Sequence, residues 1–375
     1  MNVIEKVKIL GAAGKFDVCA STASCRKTPS LDRVGSAVSS GICHSFTPDG
    51  RCVSLFKVLY TNSCSFDCKY CPNTCSGRKA SFEPEELGNL FISLYLGNYV
   101  EGLFLSSGIA GDPDRVSEKM IETVNFIRER HKFRGYVHSK VLPGTDYSLV
   151  KALSEVSDRM SVNVETPSKA RMGMVSSNKE FKSDILRRQA WIKRLASRKN
   201  LPAGQTTQFI VGASGESDLE ILRLMDWEYR QMKVKRCYFS AFSPVKETAL
   251  EGKERTPIWR ENRLYQCDWL LRKYGFPLGD LKNVMDGEFL ANEAPKLLMA
   301  RQTLDSPVDV NECSFEDLIK VPGIGLVTAK RILGYRKKDK VKGYEELRNM
   351  GVVLKRARPF IEVAGKHQRR LGDFL

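Results

Sequence analysis

Short apolar runs alternate with amphipathic helical segments over residues 53–245, and this alternation constrains the fold more than any other feature of the sequence. The strand-like runs are residues 53–60, 102–105, 135–141, 159–165, 205–211 and 237–242. The helical segments between them are residues 84–99, 115–131, 147–156, 179–198 and 217–232. Such alternation predicts an α/β fold with a parallel sheet. Such a sheet can be closed or open, and strands that are short and bounded by Gly and Pro favour a barrel, with ligands at the carboxyl ends of its strands.

Changes of composition along the chain predict its domains. The barrel is assigned to residues 51–250, after an N-terminal extension, residues 1–50, that is rich in Ser, Gly and Cys. Residues 251–305 have the composition of a helical linker or lid. Residues 306–375 are predicted to form a separate, all-α domain.

The balance of charge favours a polyanionic partner. The 375 residues are 42% hydrophobic and 28% charged, which is typical of a soluble globular protein. No apolar run approaches the roughly 20 residues that cross a bilayer, so we expect a cytoplasmic protein rather than a secreted or membrane-embedded one. Much of the net charge of +16 falls in residues 182–200 and 331–370, with net +6 and +9. Two basic segments on a balanced chain suggest nucleic acid, although each alone could be a solvated helix face.

Cysteine clustering indicates a metal centre. Eleven cysteines are present, and eight of them precede residue 76: Cys19, Cys25, Cys43, Cys52, Cys64, Cys68, Cys71 and Cys75. A cytoplasmic chain keeps thiols reduced, so the cluster favours metal over disulfides. Cys64, Cys68 and Cys71 form a CxxxCxxC loop directly after the first strand. Three thiolates at this spacing can bind three irons of a [4Fe–4S] cluster and leave the fourth iron open.

Two alternatives use a fourth ligand. Cys75 could complete a structural zinc site or a closed iron–sulfur cluster. The remaining cysteines, with Cys75, could hold a second metal, or Cys43 and Cys52 could be small buried hydrophobes beside the turn at residues 47–50. Cys237 lies within a strand and is predicted to be core.

The CxxxCxxC loop, with the aromatic Tyr70 before its last cysteine, resembles the signature of the radical S-adenosylmethionine (SAM) superfamily. The resemblance implies an α/β fold with a partial (β/α)6 barrel of the TIM type. It also implies a [4Fe–4S] cluster on Cys64, Cys68 and Cys71 that reductively cleaves SAM to methionine and a 5′-deoxyadenosyl radical. An external electron donor such as flavodoxin or ferredoxin is implied as well. The cofactor contacts that it implies are Tyr70, Ser106, Ser107, Gly108, Glu165, Gly212 and Ser240.

This chain departs from the superfamily pattern at two places. Ser106-Ser107-Gly108 stands where a Gly-Gly-Glu-like turn is usual, so the acidic contact to the methionine amino group is lost. The spacing from the fifth strand to Glu216 is one residue too long for the adenine-pocket pattern. Glu216 is therefore a candidate cap for the following helix instead.

The sequence Val321-Pro-Gly-Ile-Gly325 between two short amphipathic segments resembles a helix-hairpin-helix motif. Its glycines permit a tight hairpin that exposes backbone N–H groups to a phosphate, with Lys330 and Arg331 nearby. The predicted DNA contacts are thus Gly323, Gly325, Lys330 and Arg331. A weaker second unit spans residues 344–361 and lacks the second glycine. The alternative is an αα-hairpin that packs on the barrel or on a protein partner.

Together these features resemble a bacterial and archaeal family of DNA modification or repair radical SAM proteins with a C-terminal helix-hairpin-helix domain. Stretches that match it include residues 41–52, 163–167 and 208–216. The resemblance implies a double-stranded DNA partner and a link to a uracil-DNA-glycosylase-like protein. Two alternatives remain: a radical SAM enzyme that modifies structured RNA, and a non-catalytic nucleic-acid-binding adaptor with a structural metal site.

Overall fold

A computed structural model describes residues 1–14, 42–46, 52–75, 77–197 and 201–367. The chain forms two compact units. The first comprises Met1–Glu216 and Leu224–Glu261, and the second comprises Ser217–Arg223 and Asn262–Leu375. Within the described residues, no helix is both long and apolar enough to cross a membrane.

The first unit contains one sheet of seven strands in sequential order. Its strands are β1 (Ile42–Phe46), β2 (Cys52–Leu59), β3 (Gly102–Ser106), β4 (Tyr136–Lys140), β5 (Arg159–Ser161), β6 (Gln205–Val211) and β7 (Arg236–Ala241). β2 to β7 run parallel, and β1 pairs antiparallel with β2. The six parallel strands predicted from the sequence are confirmed, and so is the partial barrel.

Helices precede the sheet, connect its parallel strands and follow its last strand. They are α1 (Val3–Ala13), α2 (Pro84–Leu96), α3 (Pro113–Glu129), α4 (Tyr147–Val156), α5 (Lys169–Val175), α6 (Arg187–Ala196), α7 (Asp218–Trp227) and α8 (Ile258–Trp269). Local sequence explains their starts: α2 and α3 begin with a proline at the first position, where the missing N–H costs nothing. One main core lies between α1 to α3 and the outer face of β2 to β4, and Phe56, Leu105 and Met120 are fully buried there.

Two details of the sheet differ from the sequence prediction. β1 was not predicted, because its five residues carry no alternating pattern. The fourth parallel strand ends at Ser161 rather than at Glu165. Thr207 Oγ1 donates to the carbonyl of Val162 and accepts the N–H of Val164. Hydrogen bonds of a side chain therefore replace the backbone hydrogen bonds between the strands there. The chain rejoins β6 at Glu165, which has a left-handed φ of 60°.

The second unit is mainly helical. Besides parts of α7 and α8, its helices are α9 (Leu278–Asn283), α10 (Pro295–Thr303), α11 (Phe315–Lys320), α12 (Leu326–Arg336), α13 (Tyr344–Asn349) and α14 (Leu354–Ala357). The all-α prediction lacked three short strands, β8 (Val308–Asp309), β9 (Ile361–Val363) and β10 (Lys366–His367). They are too short for a period of two to be visible in the sequence. β9 buries Ile361 and Val363 in the same core as Leu318 and Ile332.

Candidate active site and nucleic-acid interface

A cavity of about 530 Å³ opens at the carboxyl ends of the parallel strands of the first unit. Loops after β2, β3, β4 and β7 contribute to its wall. The sequence-predicted residues that line it are Cys64, Cys68, Tyr70, Cys71, Ser106, Ser107, Gly108, Glu165 and Ser240. Because parallel strands bring their carboxyl ends to one edge, Cys64 and Ser240 share this wall although they are 176 positions apart in the sequence.

The three cysteines of the CxxxCxxC loop all face the cavity. Cys64 Sγ lies 3.5 Å from the backbone N of Ile109, which donates to it. Burial, with the neighbouring Cys68, raises the pKa of the Cys71 thiol to about 12. A thiolate there therefore needs a compensating cation, and soft thiolates select zinc or iron–sulfur centres.

Cys75 has a different environment. It does not line the cavity, and its thiol donates to the carbonyl oxygen of Glu247 at 3.2 Å. Throughout the described ranges, no three Cys, His, Asp or Glu side chains lie close enough together to hold a metal ion. Three thiols on one cavity wall fit a polynuclear cluster, which spreads its ligands further apart than a single ion does. Cys43 packs against Leu55 and Phe104 as a small hydrophobe.

Of the other cysteines, Cys19 and Cys25 lie outside the described residues, as does the side chain of Cys52. Cys237 is fully buried in β7, as predicted.

Asp67 connects the CxxxCxxC loop by hydrogen bonds to the residues that follow α5. Its carboxylate accepts hydrogen bonds from the hydroxyls of Ser176 and Ser177 at 2.6 and 2.5 Å, and from the backbone N–H groups of Ser177 and Asn178. Burial opposes ionisation, but these hydrogen bonds outweigh it and lower the pKa of Asp67 well below its usual value. Lys69 adds a backbone bond to Val175, so the loop is fixed from both sides of Cys68.

A charged pair forms part of the wall beside the thiols. Lys179 Nζ lies 4.0 Å from Glu165 Oε1, and the two side chains are only 9% and 10% exposed. Lys179 Nζ also donates to Tyr70 Oη at 3.4 Å and lies 5.8 Å from the Phe66 ring centre. Burial, with the charge of Glu165, raises the pKa of Tyr70, so its hydroxyl stays protonated. Lys179 was not predicted, because only the tertiary fold brings it to the thiols. Phe66 and Asp67 lie within the CxxxCxxC loop, but the sequence pattern assigned them no role.

The turn after β3 packs closely against the loop after β2. Gly108 donates its N–H to the carbonyl of Thr61 at 2.7 Å, and Ser107 Oγ accepts the N–H of Thr61 at 3.3 Å. A Cβ on Gly108 would collide with the carbonyl oxygen of Ser63. Glycine is therefore required here for close approach rather than for a positive φ.

Gly212 is the one predicted cofactor residue that does not line the cavity. It has a φ of 91°, and a side chain there would collide with Thr256 Oγ1. The Glu216 carboxylate accepts the N–H groups of Gly212 and Ser214 and the Ser214 hydroxyl, so it caps this turn rather than α7. β6 and β7 present Gln208, Ile210 and Ser240 to the cavity instead.

Two hairpins interlock in the second unit. The turn at 321–325 joins α11 to α12, and the turn at 350–353 joins α13 to α14. Gly323 and Gly351 have φ angles of 90° and 97°, and Val353 N donates to Gly323 O at 2.9 Å. The second hairpin therefore keeps the glycine that its turn needs.

The remaining predicted DNA residues lie on α12 or at its start. Gly325 is the N-cap residue, and Lys330 is exposed. Arg331 is also exposed, but its guanidinium donates to the carbonyl of Met350 at 3.2 Å, so it links the two hairpins as well. Lys296 was missed by the sequence analysis: its Nζ donates to Ile324 O, in the first turn, at 2.6 Å.

The basic segment 182–200 is in part structural. The buried Arg188 donates to the carbonyl oxygens of Gly144, Thr145 and Ser183 and stacks over Trp191. Residues 198–200 lie outside the described residues. This segment therefore offers a phosphate fewer cations than its net charge suggested.

Comparison with known families gives two matches. Residues 58–227 match the Radical SAM superfamily. The chain contains a radical SAM domain. Such domains belong to enzymes that use a [4Fe–4S] cluster and SAM. Residues 305–353 match the helix-hairpin-helix motif, which covers the first hairpin and most of the second and suggests binding of nucleic acid. No protein with a curated description matches the chain.

Solved structures similar to the chain include an FeFe-hydrogenase maturase, at 12% identity and a TM-score of 0.45. Methylornithine synthase has 12% identity and a TM-score of 0.47. A radical SAM methyltransferase from Sphaerobacter thermophilus has 14% identity and a TM-score of 0.45. The matches cover 56%, 57% and 62% of this chain and 48%, 60% and 70% of those chains. The chain thus spans about half of the first of them.

Proposed function

We propose that the protein is a radical SAM enzyme that cleaves SAM reductively and acts on DNA, in modification or repair. The observation that carries the first part is the cavity wall on which Cys64, Cys68 and Cys71 meet, while Cys75 lies outside it. A three-cysteine site leaves one iron for SAM, whereas a site with four thiolates does not.

The three thiols would hold the [4Fe–4S] cluster, and Asp67 would keep their loop in one conformation. When bound and reduced, the cluster supplies the single electron that breaks a carbon–sulfur bond of the SAM sulfonium. Flavodoxin or ferredoxin is the proposed donor of that electron. The apolar Phe66, Ile109 and Leu142 on the same wall would exclude water from the site.

Around the cluster site, the proposed SAM contacts follow the strand ends. Ser106, Ser107 and Gly108 would hold the methionine portion through backbone and hydroxyl groups, and Glu165 would accept hydrogen bonds from the ribose. Lys179 Nζ lies 4.0 Å from Glu165 Oε1 and offsets its negative charge. Tyr70 and Ser240 would flank the adenine, while Gly212 would act from behind the wall by shaping the turn after β6.

The DNA part of the proposal is supported by the helix-hairpin-helix match and by the two interlocked hairpins. Gly323 and Gly325 would present backbone N–H groups to a phosphate, with Lys330 and Arg331 adding charge. Such contacts read no base sequence, which suits a double-stranded partner. A uracil-DNA-glycosylase-like protein is a proposed further partner, and the cytoplasm, which keeps thiols reduced, is the proposed location.

The test of SAM cleavage is anaerobic. The protein is reconstituted with iron and sulfide, reduced, and assayed for 5′-deoxyadenosine formed from SAM. We expect Cys64→Ala, Cys68→Ala and Cys71→Ala each to abolish both iron loading and product, while Cys75→Ala, the matched control, keeps both. A fully loaded wild type that forms no 5′-deoxyadenosine, with or without nucleic acid, would refute the proposal in favour of the adaptor.

The choice between DNA and RNA needs a second experiment, because phosphate contacts are common to both. Labelled duplex DNA is competed with structured RNA at one stated salt concentration. Stronger competition by DNA is expected. Stronger competition by RNA would make structured RNA the substrate instead.

A further inference from the structure

The cavity wall carries more ammonium than carboxylate. The charged residues that line it are Lys140, Glu165, Lys179 and Lys246, so Glu165 is the single carboxylate among the described lining residues. Glu165 already faces Lys179 at 4.0 Å. The wall without its ligands is therefore positive on balance, and it favours a ligand that brings negative charge.

Lys140 and Glu165 are the two buried charged residues of this wall. Lys140 is the last residue of β4 and only 9% exposed, and its Nζ lies 2.5 Å from Asn163 Oδ1. The short contact holds the ammonium at the cavity wall, between the ends of β4 and β5. Asn163 also lines the cavity, so its amide can contact a ligand together with Lys140.

Below this pair the lumen is aromatic and cationic. The Phe104 ring stacks on His138 with 4.2 Å between ring centres. Lys140 Nζ and Lys57 Nζ lie 6.0 and 5.9 Å from the centre of the Phe104 ring. Lys57 is 4% exposed. Two ammonium groups over one ring in a protein interior are costly to desolvate, and an anion next to them offsets that cost.

We propose that Lys140, oriented by Asn163, binds a phosphate oxygen of a nucleotide substrate inside the cavity. The proposal rests on the proposed action on nucleic acid, which makes phosphate the anion to expect. Glu165 and Lys179 occupy the β5 side of the wall, where the SAM ribose is proposed to bind. Lys140 lies on β4, to which no cofactor contact is assigned.

This assignment narrows the substrate. A nucleotide in a duplex must leave the base stack to bring its phosphate and sugar into a cavity at the end of a barrel. The bound species is therefore an extruded or single-stranded nucleotide, or a free mononucleotide of the same chemistry.

Calorimetric binding to the reconstituted full-length protein tests the proposal, with deoxythymidine 5′-monophosphate and deoxythymidine as probes. We expect the monophosphate to bind at least tenfold tighter, because a charge-assisted hydrogen bond to phosphate is stronger than a hydrogen bond between neutral groups. Lys140→Met should abolish that preference, and Lys140→Arg should restore part of it. The control is Lys151→Met, which removes an exposed lysine of α4.

A second variant protects the test against misfolding. Asn163→Asp places a carboxylate against Lys140, so it should fold and also lose the preference for the monophosphate. SAM affinity is measured on every variant and should stay within about twofold of wild type. A short single-stranded oligonucleotide is compared with the monophosphate: whichever depends more strongly on Lys140 identifies the source of the phosphate.

Two results would overturn the proposal: equal affinity of the wild type for nucleoside and monophosphate, or loss of SAM affinity in Lys140→Met with nucleotide affinity unchanged. The latter would assign Lys140 to the SAM carboxylate. The 5′-deoxyadenosine assay keeps the two hypotheses apart. Product without a phosphate preference rejects only the role of Lys140, whereas no product rejects the radical SAM activity whatever the binding result.

Discussion

The barrel cavity and the interlocked hairpins are built in different ways. In the cavity, side chains from six strand ends and their loops converge, so the site depends on the whole first unit. In the hairpins, backbone groups of a five-residue turn and a four-residue turn are held together by the hydrogen bond from Val353 N to Gly323 O and by the Arg331 guanidinium, which donates to Met350 O. The cavity can recognise a particular chemical group, whereas the hairpins can recognise only the charged backbone of a nucleic acid. Substitutions in the cavity should therefore impair SAM cleavage without weakening DNA binding, and substitutions in the hairpins should do the reverse.

The largest expected effect comes from Gly108→Ala. The added Cβ meets the carbonyl oxygen of Ser63, one residue before Cys64, and backbone cannot move aside as a flexible side chain can. We expect loss of iron loading and of SAM cleavage, with duplex DNA affinity unchanged. Iron content, 5′-deoxyadenosine and fluorescence anisotropy measure the three quantities.

Gly173→Ala is the matched control, because a Cβ there meets nothing within 4 Å. Within α5 it should be neutral or slightly stabilising. Full iron loading in Gly108→Ala would show that the cysteine loop tolerates displacement, and the contrast between the two regions would weaken.

Gly323→Ala is the converse experiment in the hairpins. Its φ of 90° disfavours any side chain, and the Cβ would lie 2.5 Å from Val353 O, the partner turn. We expect duplex DNA affinity to fall at least tenfold at fixed salt, while SAM cleavage in the absence of DNA is retained. Gly334→Ala, in α12 with open space around it, is the control. Unchanged DNA affinity in Gly323→Ala would separate the hairpins from nucleic-acid binding.

More of the hairpin residues than of the cavity residues could be predicted from the sequence, because the hairpin turn is local in the sequence and the cavity is not. The first hairpin is local: Val321 to Gly325 determines its turn, so its residues could be named directly. The cysteine loop and the strand order could be predicted as well, because strand–helix alternation places loops at one edge of the sheet.

The rest depended on tertiary packing. No local pattern marks Lys179, which reaches Glu165 and Tyr70 only after folding, or Lys296, which reaches Ile324 from another helix. The dependence on tertiary packing also explains the position of Gly212. Its sequence context suggested a cofactor contact, whereas packing against Thr256 keeps it behind the wall.

A buried carboxyl makes the stability of the first unit depend on pH. In the first unit, Glu228 is fully buried, and burial raises the pKa of its carboxyl to about 8. The unfolded chain releases that proton near pH 4.5, so between about pH 5 and 8 the folded state holds more protons. Stability of this unit should therefore fall as the pH rises, by at most about 1.4 kcal/mol per pH unit, and level off above pH 8.

Urea unfolding of the wild type and Glu228→Gln over pH 5 to 9 tests this slope. The amide cannot ionise, so the variant should be the more stable form at pH 8 and lose most of the pH dependence. Glu129→Gln, at an exposed position of α3, is the control. Parallel curves for Glu228→Gln and the wild type would contradict the assignment.

The smallest effect concerns Lys296 in the second unit. Burial lowers the pKa of its ammonium to about 7, although Nζ donates to Ile324 O and lies 4.7 Å from the Tyr274 ring centre. A phosphate at the adjoining turn would favour the ammonium and raise that pKa, so DNA binding should take up about half a proton at pH 7. Calorimetry in buffers of different ionisation enthalpy measures the uptake. It should vanish in Lys296→Met and persist in Lys282→Met, an exposed lysine of α9. Equal heats in all buffers for the wild type would show that no phosphate comes near Lys296. Phosphate binding would then be assigned to the glycine turns alone.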